Sequence, residues 1–313
     1  MNQYQHYFLD EFVEDFQDGR LSRRDFILRA VAVSGGVAAA IGLLKSLGLT
    51  EADVAAAQAA PAAVVLNQAN PVTVAPDDPE ISVLGAEFAG ADGATVFGYM
   101  ALPSTPGVYP GVVVIHENRG LVPHIQDVVR RYAKNGFAAI APDLVSREGG
   151  TEAADPAQVP GFLSGADPWR HADDTVAAGM FLRAQERVHP DAHGISGFCF
   201  GGGITWRTAI RDGALAAAVP YYGPPPPLDD ATRIKAAVLG LYGELDTRIT
   251  GSIPDMEAAL STAGVPHDFV VYPGANHAFF NDTGDRYNAD AAADAWPRTL
   301  AWFHEFLPAA VLA

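Results

Sequence analysis

The sequence predicts an α/β protein, a mostly parallel, doubly wound sheet with helices on both faces. Three observations carry this reading. Fully apolar β-runs at 111–115 and 237–242 alternate with stretches of helical period, the pattern of parallel strands buried on both faces. A glycine-rich turn, Gly197-Phe198-Cys199-Phe200-Gly201, joins another apolar run to a helix. Two further polar candidates, Asp246 and His277, fall just past the carboxyl ends of later strands, where open α/β sheets place their sites.

In chain order, residues 1–59 stand apart. Ser22-Arg23-Arg24-Asp25-Phe26-Ile27 is a twin-arginine pattern, followed by a mild apolar stretch at 30–44 and by Ala57-Gln58-Ala59, an A-x-A cleavage candidate. The segment is expected to be a Tat export signal, with the Tat translocation machinery as partner and a periplasmic or extracytoplasmic destination. The apolar stretch is shorter than the roughly 20 residues that span a bilayer. Membrane contact is therefore expected only through this segment, as a tether if it is not cleaved. The polar lead 1–21, rich in acids and aromatics, has no role that its pattern assigns. Residues 60–80 are Ala/Pro/Asn-rich and are expected to be a linker, leaving 81–313 as the catalytic domain.

Within that domain, 81–89 and 95–100 alternate around Ala91-Asp92-Gly93 and predict an antiparallel hairpin at the sheet edge. A strand at 111–115, a helix at 125–135 closed by Gly136, and a strand at 138–141 follow. Residues 145–167 lack periodicity and are expected to form a long loop over the site. Helices at 173–185 and 201–211 enclose the glycine-rich turn, and a strand at 214–219 comes next. The run Pro224–Pro227 cannot enter a sheet or helix interior and predicts a stiff rim loop. Helices at 253–263 and 291–307, with a strand at 269–272 between them, complete the chain.

The turn has the form of a nucleophile elbow, G-x-S-x-G, with cysteine in place of serine. An elbow brings the residues two before and two after its nucleophile against each other's backbones, which glycine permits. It also aims the N–H groups of the next helix at the sulfur, favouring thiolate. Acid and histidine follow in the order that α/β-hydrolases require, nucleophile, acid, His. Asp246 alone could be a cap and Cys199 alone a buried thiol; together with His277 they form a candidate Cys-Asp-His triad. The backbone N–H of Phe200 and that of Asn118, on the loop after the first central strand, are the candidate oxyanion donors. His116, at that strand's end, is expected to be structural.

The chain resembles the dienelactone hydrolases (carboxymethylenebutenolidases) of the α/β-hydrolase fold. The resemblance rests on His116-Glu117-Asn118-Arg119-Gly120, Ala141-Pro142-Asp143, the 197–202 turn, Tyr221-Tyr222-Gly223, Glu244-Leu245-Asp246 and Pro273-Gly274-Ala275-Asn276-His277, across 81–307. It implies hydrolysis of a lactone or carboxylic ester through a thioester on Cys199, without a cofactor. It also implies that Glu117 engages the resting thiol and can accept its proton, keeping the sulfur neutral until substrate binds; pairing of Glu117 with Arg119 is the alternative. Where the family carries a carboxylate-binding arginine four residues after the histidine, this chain has Asn281. Arg119, Tyr222, Arg248 and Arg286 are the remaining candidates for substrate contact.

Composition narrows the partners. The chain carries a formal net charge of −17, and 15 Lys+Arg against 29 Asp+Glu remain after residue 59, which argues against nucleic acid and anionic lipid. Cys199 is the single cysteine, so no internal disulfide is possible. No grouping has metal-ligand spacing and no phosphate-binding glycine motif occurs, so neither metal nor cofactor is expected. Two other readings stay open: a non-catalytic or redox-sensing binding protein using the lone thiol, and an acyltransferase.

Overall fold

The structure is a computed structural model that describes residues 1–59 and 73–313. Most of the expected linker therefore lies outside the described residues. Its described end is anchored, since the backbone N–H groups of Thr73 and Val74 both donate to the carboxylate of Asp127.

The body is one nine-stranded sheet. Its strands are β1 (Ile81–Ala89), β2 (Thr95–Pro103), β3 (Gly107–Ile115), β4 (Ala138–Pro142), β5 (Val188–Phe198), β6 (Leu215–Tyr221), β7 (Ala237–Gly243), β8 (His267–Tyr272) and β9 (Val311–Leu312). The order is β1-β2-β4-β3-β5-β6-β7-β8, with β9 pairing β3 at its start. From β4 onward the pairings along that path are parallel, while β1 and β2 form the expected antiparallel edge hairpin in the register Ile81 to Pro103. β3, β4 and β7 are buried along nearly their whole length, which is why they read as unbroken apolar runs rather than alternating ones.

Four helices precede the sheet: α1 (Gln3–Gln17), α2 (Arg23–Ser34), α3 (Val37–Ser46) and α4 (Glu51–Ala59). Those between and after the strands are α5 (Pro123–Lys134), α6 (Val159–Gly165), α7 (Pro168–Arg183), α8 (Phe200–Arg211), α9 (Leu228–Ala231), α10 (Thr247–Thr250), α11 (Ile253–Ala263) and α12 (Ala289–Phe306). Two expectations change. The stretch 145–167 contains α6, and α7 begins five residues before the expected start because Asp167 caps it and Pro168 opens it.

The larger change is in residues 1–59. They fold as a helical block whose first helix lies against the turn after β5 and the loop after β8. α1 is set locally by a capping box, in which Asn2 Oδ1 accepts from the Gln5 N–H and Gln5 Oε1 accepts from the Asn2 N–H. Its Tyr4, Phe8, Leu9 and Phe12 are buried, the apolar stripe of one helix face. α2 packs on α6 so closely that a Cβ on Gly161 would stand 2.8 Å from the Ala32 carbonyl carbon. The apolar stretch 30–44 is broken by Gly35 and Gly36 between α2 and α3, and among the described residues no helix is long and apolar enough to cross a membrane. The A-x-A candidate forms the last turn of α4, with Ala57 buried.

Candidate functional site

β5 delivers Cys199 to the centre of the sheet's carboxyl edge. The residue sits at φ 56°, ψ −117°, a conformation that side chains rarely adopt, between the strand and α8. Gly197 and Gly201 make the turn possible: a Cβ on Gly197 would lie 2.2 Å from the Gly201 carbonyl oxygen, and one on Gly201 would lie 2.4 Å from that of Ile115. The elbow is thereby pressed against the end of β3, whose following loop carries Glu117, Asn118 and Arg119.

The loop after β7 carries Asp246 and the loop after β8 carries His277. Leu245 N–H donates to the Ala275 carbonyl, and Gly274 N–H to Glu244, so the two loops are fixed to each other. Asp246 Oδ2 lies 2.6 Å from His277 Nδ1, both groups buried. Burial alone pushes the carboxyl up, but the opposing charge and hydrogen bond of His277, aided by Arg248, hold it below its ordinary range. Burial likewise pulls the imidazole down, and Asp246 outweighs it, so His277 stands above 6.5. A ring nitrogen of His277 and Cys199 Sγ lie within 4.8 Å of each other. Carbonyl attack, proton transfer and hydrolysis are chemically accessible to this set.

The thiol differs from the elbow-based expectation. It is buried, and that burial first, with the nearby carboxylates of Glu11 and Glu117, raises its pKa well above the ordinary value, so it is neutral. The carboxylate it reaches is also different from the one implied by the resemblance. Sγ donates to Glu11 Oε2 of α1 at 3.7 Å, whereas Glu117 accepts from Tyr222 Oη at 3.3 Å and from Asn281 Nδ2 at 2.6 Å. Glu117 has no ion pair with Arg119 either. Asn281, at the position where the resemblance implies an arginine, donates to Glu117 instead.

The other candidates are placed as follows. Asn118 turns its side chain to Glu11 at 3.2 Å, and the Phe200 N–H faces the sulfur. Arg119 lines the cavity beside Cys199, and Tyr222 packs its ring on His277 with centroids 5.0 Å apart. Arg248 is 3.7 Å from Asp246 and 3.5 Å from Glu14, and Arg286 pairs with Asp15 at 2.6 Å. His116 bonds the Glu117 carbonyl and the Leu144 N–H, a tie between two loops.

Two residues in the site escaped the sequence reading. Tyr7 Oη is 3.1 Å from His277 Nε2 and 3.7 Å from Cys199 Sγ, and Glu11 is one turn further along the same face of α1. The i, i+4 spacing of Tyr4, Phe8 and Phe12, with Tyr7 and Glu11 beside them, was the available signal. Spacing could not reveal the donor set that Glu11 completes. Glu11, Cys199 and His277 bring an oxygen, a sulfur and a nitrogen within 4.8 Å of one another, ligand types that zinc accepts, so the expectation of no metal grouping is corrected by residues distant in sequence.

The cavity at Cys199 holds only about 200 Å³, below the 300 Å³ or so at which small-molecule sites begin. A roomier one of about 480 Å³, lined by Phe88, Met180 and Phe181, lies away from any of these groups and offers no nucleophile.

The model of the dienelactone hydrolase family matches residues 96–307, the span that carries the sheet from β2 through β8 and the loops that follow β3, β5, β7 and β8. The chain belongs to the dienelactone hydrolase family. A relative in Escherichia coli, named "Putative carboxymethylenebutenolidase", is 39% identical over 263 residues, covering 79% of this chain and 94% of its own. One of the same name in Methylorubrum extorquens is 38% identical over 221 residues, 66% of this chain and 76% of its own. A crystal structure of a dienelactone hydrolase-like promiscuous phosphotriesterase from metagenomic libraries superposes with TM-score 0.66 at 27% identity, covering 73% of this chain and 100% of that one. Membership makes the chain a hydrolase of the dienelactone hydrolase type, with the α/β-hydrolase fold.

Proposed function

We propose that this hydrolase opens a lactone or a carboxylic ester through a thioester on Cys199. The observation that carries the reading is the buried Asp246–His277 contact of 2.6 Å at the strained elbow of Cys199. Asp246 fixes the proton on Nδ1 and leaves Nε2 as the base. His277 takes the thiol proton as Sγ attacks the carbonyl carbon. The tetrahedral oxyanion forms against the N–H groups of Phe200 and Asn118, each worth about 3 kcal/mol in such a role. The carbon–oxygen bond then breaks, and His277 returns its proton to the leaving alkoxide. A water gives a proton to His277 and its oxygen to the thioester, releasing the carboxylic acid and restoring the thiol. These steps use side chains, backbone N–H groups and water, and Arg119, which lines the cavity beside Cys199, is the cation proposed to meet substrate.

The test is intact mass after a brief pulse of p-nitrophenyl acetate, a simple lactone and a thioester. Wild type should carry the acyl mass and Cys199→Ala should not, and which compound acylates it defines the substrate class. Turnover undiminished in Cys199→Ala would remove the thioester mechanism.

We also propose export by the Tat route, on the twin arginines ahead of the apolar stretch. Arg23 remains half-exposed although it pairs with Asp53 at 2.8 Å. Changing Arg23 and Arg24 to lysine keeps the charge, and the protein should then stay in the cytosol. Fractionation that finds the double variant exported at the normal level would refute the signal.

A further inference from the structure

We propose that α1 is an intramolecular plug that keeps the hydrolase latent until residues 1–59 leave the cleft. The inference rests on the site assigned above, and it concerns access to Cys199 whatever the substrate.

Tyr7 Oη is hydrogen-bonded to His277 Nε2, the nitrogen that must exchange protons with thiol and leaving group, so no substrate oxygen can stand there while α1 is seated. Glu11 holds the thiol proton and also takes the side-chain amide of Asn118 from the loop of the second oxyanion donor. One helix therefore occupies the base, the nucleophile and the loop opposite them. Cys199 is 2% exposed and the space left beside it is small.

The seat is built for this helix. Tyr4 and Phe8 stand edge-on to Phe200 with centroids 5.2 and 5.7 Å apart, and Arg207 donates to Tyr4 Oη and Gln3 Oε1. Asn2 Nδ2 donates to the Ser164 carbonyl of α6 at 2.7 Å. At the other end Arg248 of α10 and Arg286 of the loop before α12 pair with Glu14 and Asp15. A leader that merely lay on the surface would not reach both the histidine and the sulfur.

Apparent activity is proportional to the fraction of molecules that are open, so raising that fraction tenfold raises the rate about tenfold. The test uses the full chain. Phe8→Asp with Phe12→Asp puts unpaired carboxylates under α1, and Glu14→Arg with Asp15→Arg turns its attraction to Arg248 and Arg286 into repulsion. The first readout is alkylation of Cys199 by iodoacetamide, followed by mass; the second is kcat/KM for p-nitrophenyl acetate. Both rates should rise about tenfold or more in each double variant. If the core pair fails to fold by circular dichroism, the surface pair decides. Alkylation unchanged in a variant that melts like wild type would overturn the proposal. So would a faster-alkylating variant whose esterase activity falls below that of the wild type, since α1 would then supply working groups. Faster alkylation with no esterase in any form would leave the plug standing and refute the ester-hydrolase reading instead.

Discussion

Asp246→Asn should lower kcat by about ten-thousand-fold while leaving the fold intact, the loss expected when an imidazole keeps its place but loses the carboxylate that fixes its tautomer. The asparagine is isosteric, and the loops it joins are held by backbone bonds from Leu245 and Gly274 that the change does not touch. Because the Asp246 charge is what holds His277 above its ordinary pKa against burial, the acid limb of the kcat/KM profile should also move to lower pH. Steady-state kinetics from pH 5 to 9 on wild type and variant measure both effects. A loss below about tenfold, with no movement of the limb, would show that the pair orients a loop and does no chemistry.

Gly201→Ala should destabilise the protein by about 3 kcal/mol or more, at the upper end of overpacking costs. Its new Cβ would meet the carbonyl oxygens of Ile115 and His116 at 2.4 and 2.6 Å, both backbone atoms at the carboxyl end of the central strand β3. In a domain of this size that corresponds to a fall in melting temperature of about 10 °C, or to insoluble protein. Gly213→Ala is the control, since nothing lies within 4 Å of a Cβ there. Equal melting points for the two variants would mean that the elbow does not press on β3.

The parts of this molecule that were legible in the sequence are those whose cause is local. β3 and β7 announce themselves because burial on both faces makes them apolar throughout. Gly197 and Gly201 mark the turn because only glycine fits there, and Asp246 and His277 mark strand ends. α6 went unread because its seven residues include a proline and two glycines, too short for a period to emerge. The apolar period of α1 lies within the polar lead 1–21, to which the sequence pattern assigned no element, and amphipathicity in any case names no partner. The apolar stripe of Tyr4, Phe8 and Phe12 could have faced another copy, a membrane or a core, and nothing nearby in the chain points to Cys199, 188 residues beyond Glu11. The same distance explains why Glu117 was assigned the thiol proton. Its place in the loop is right, but a residue from the other end of the chain reaches the sulfur first.

Residues 60–72 are the covalent link between α4 and the body of the protein, and that link sets a local dose of the helix. A segment covalently joined to its own seat meets it at an effective concentration that reaches the order of millimolar. An intrinsic dissociation constant as weak as ~1 µM would then leave only about one molecule in a thousand open. Cutting the link changes the regime: the freed segment disperses to the concentration of the protein itself, and once that lies well below the intrinsic dissociation constant the same contacts no longer suffice to hold it. A single peptide-bond cleavage between Ala59 and Thr73 would thus act as a concentration switch, with no atom of the catalytic site altered.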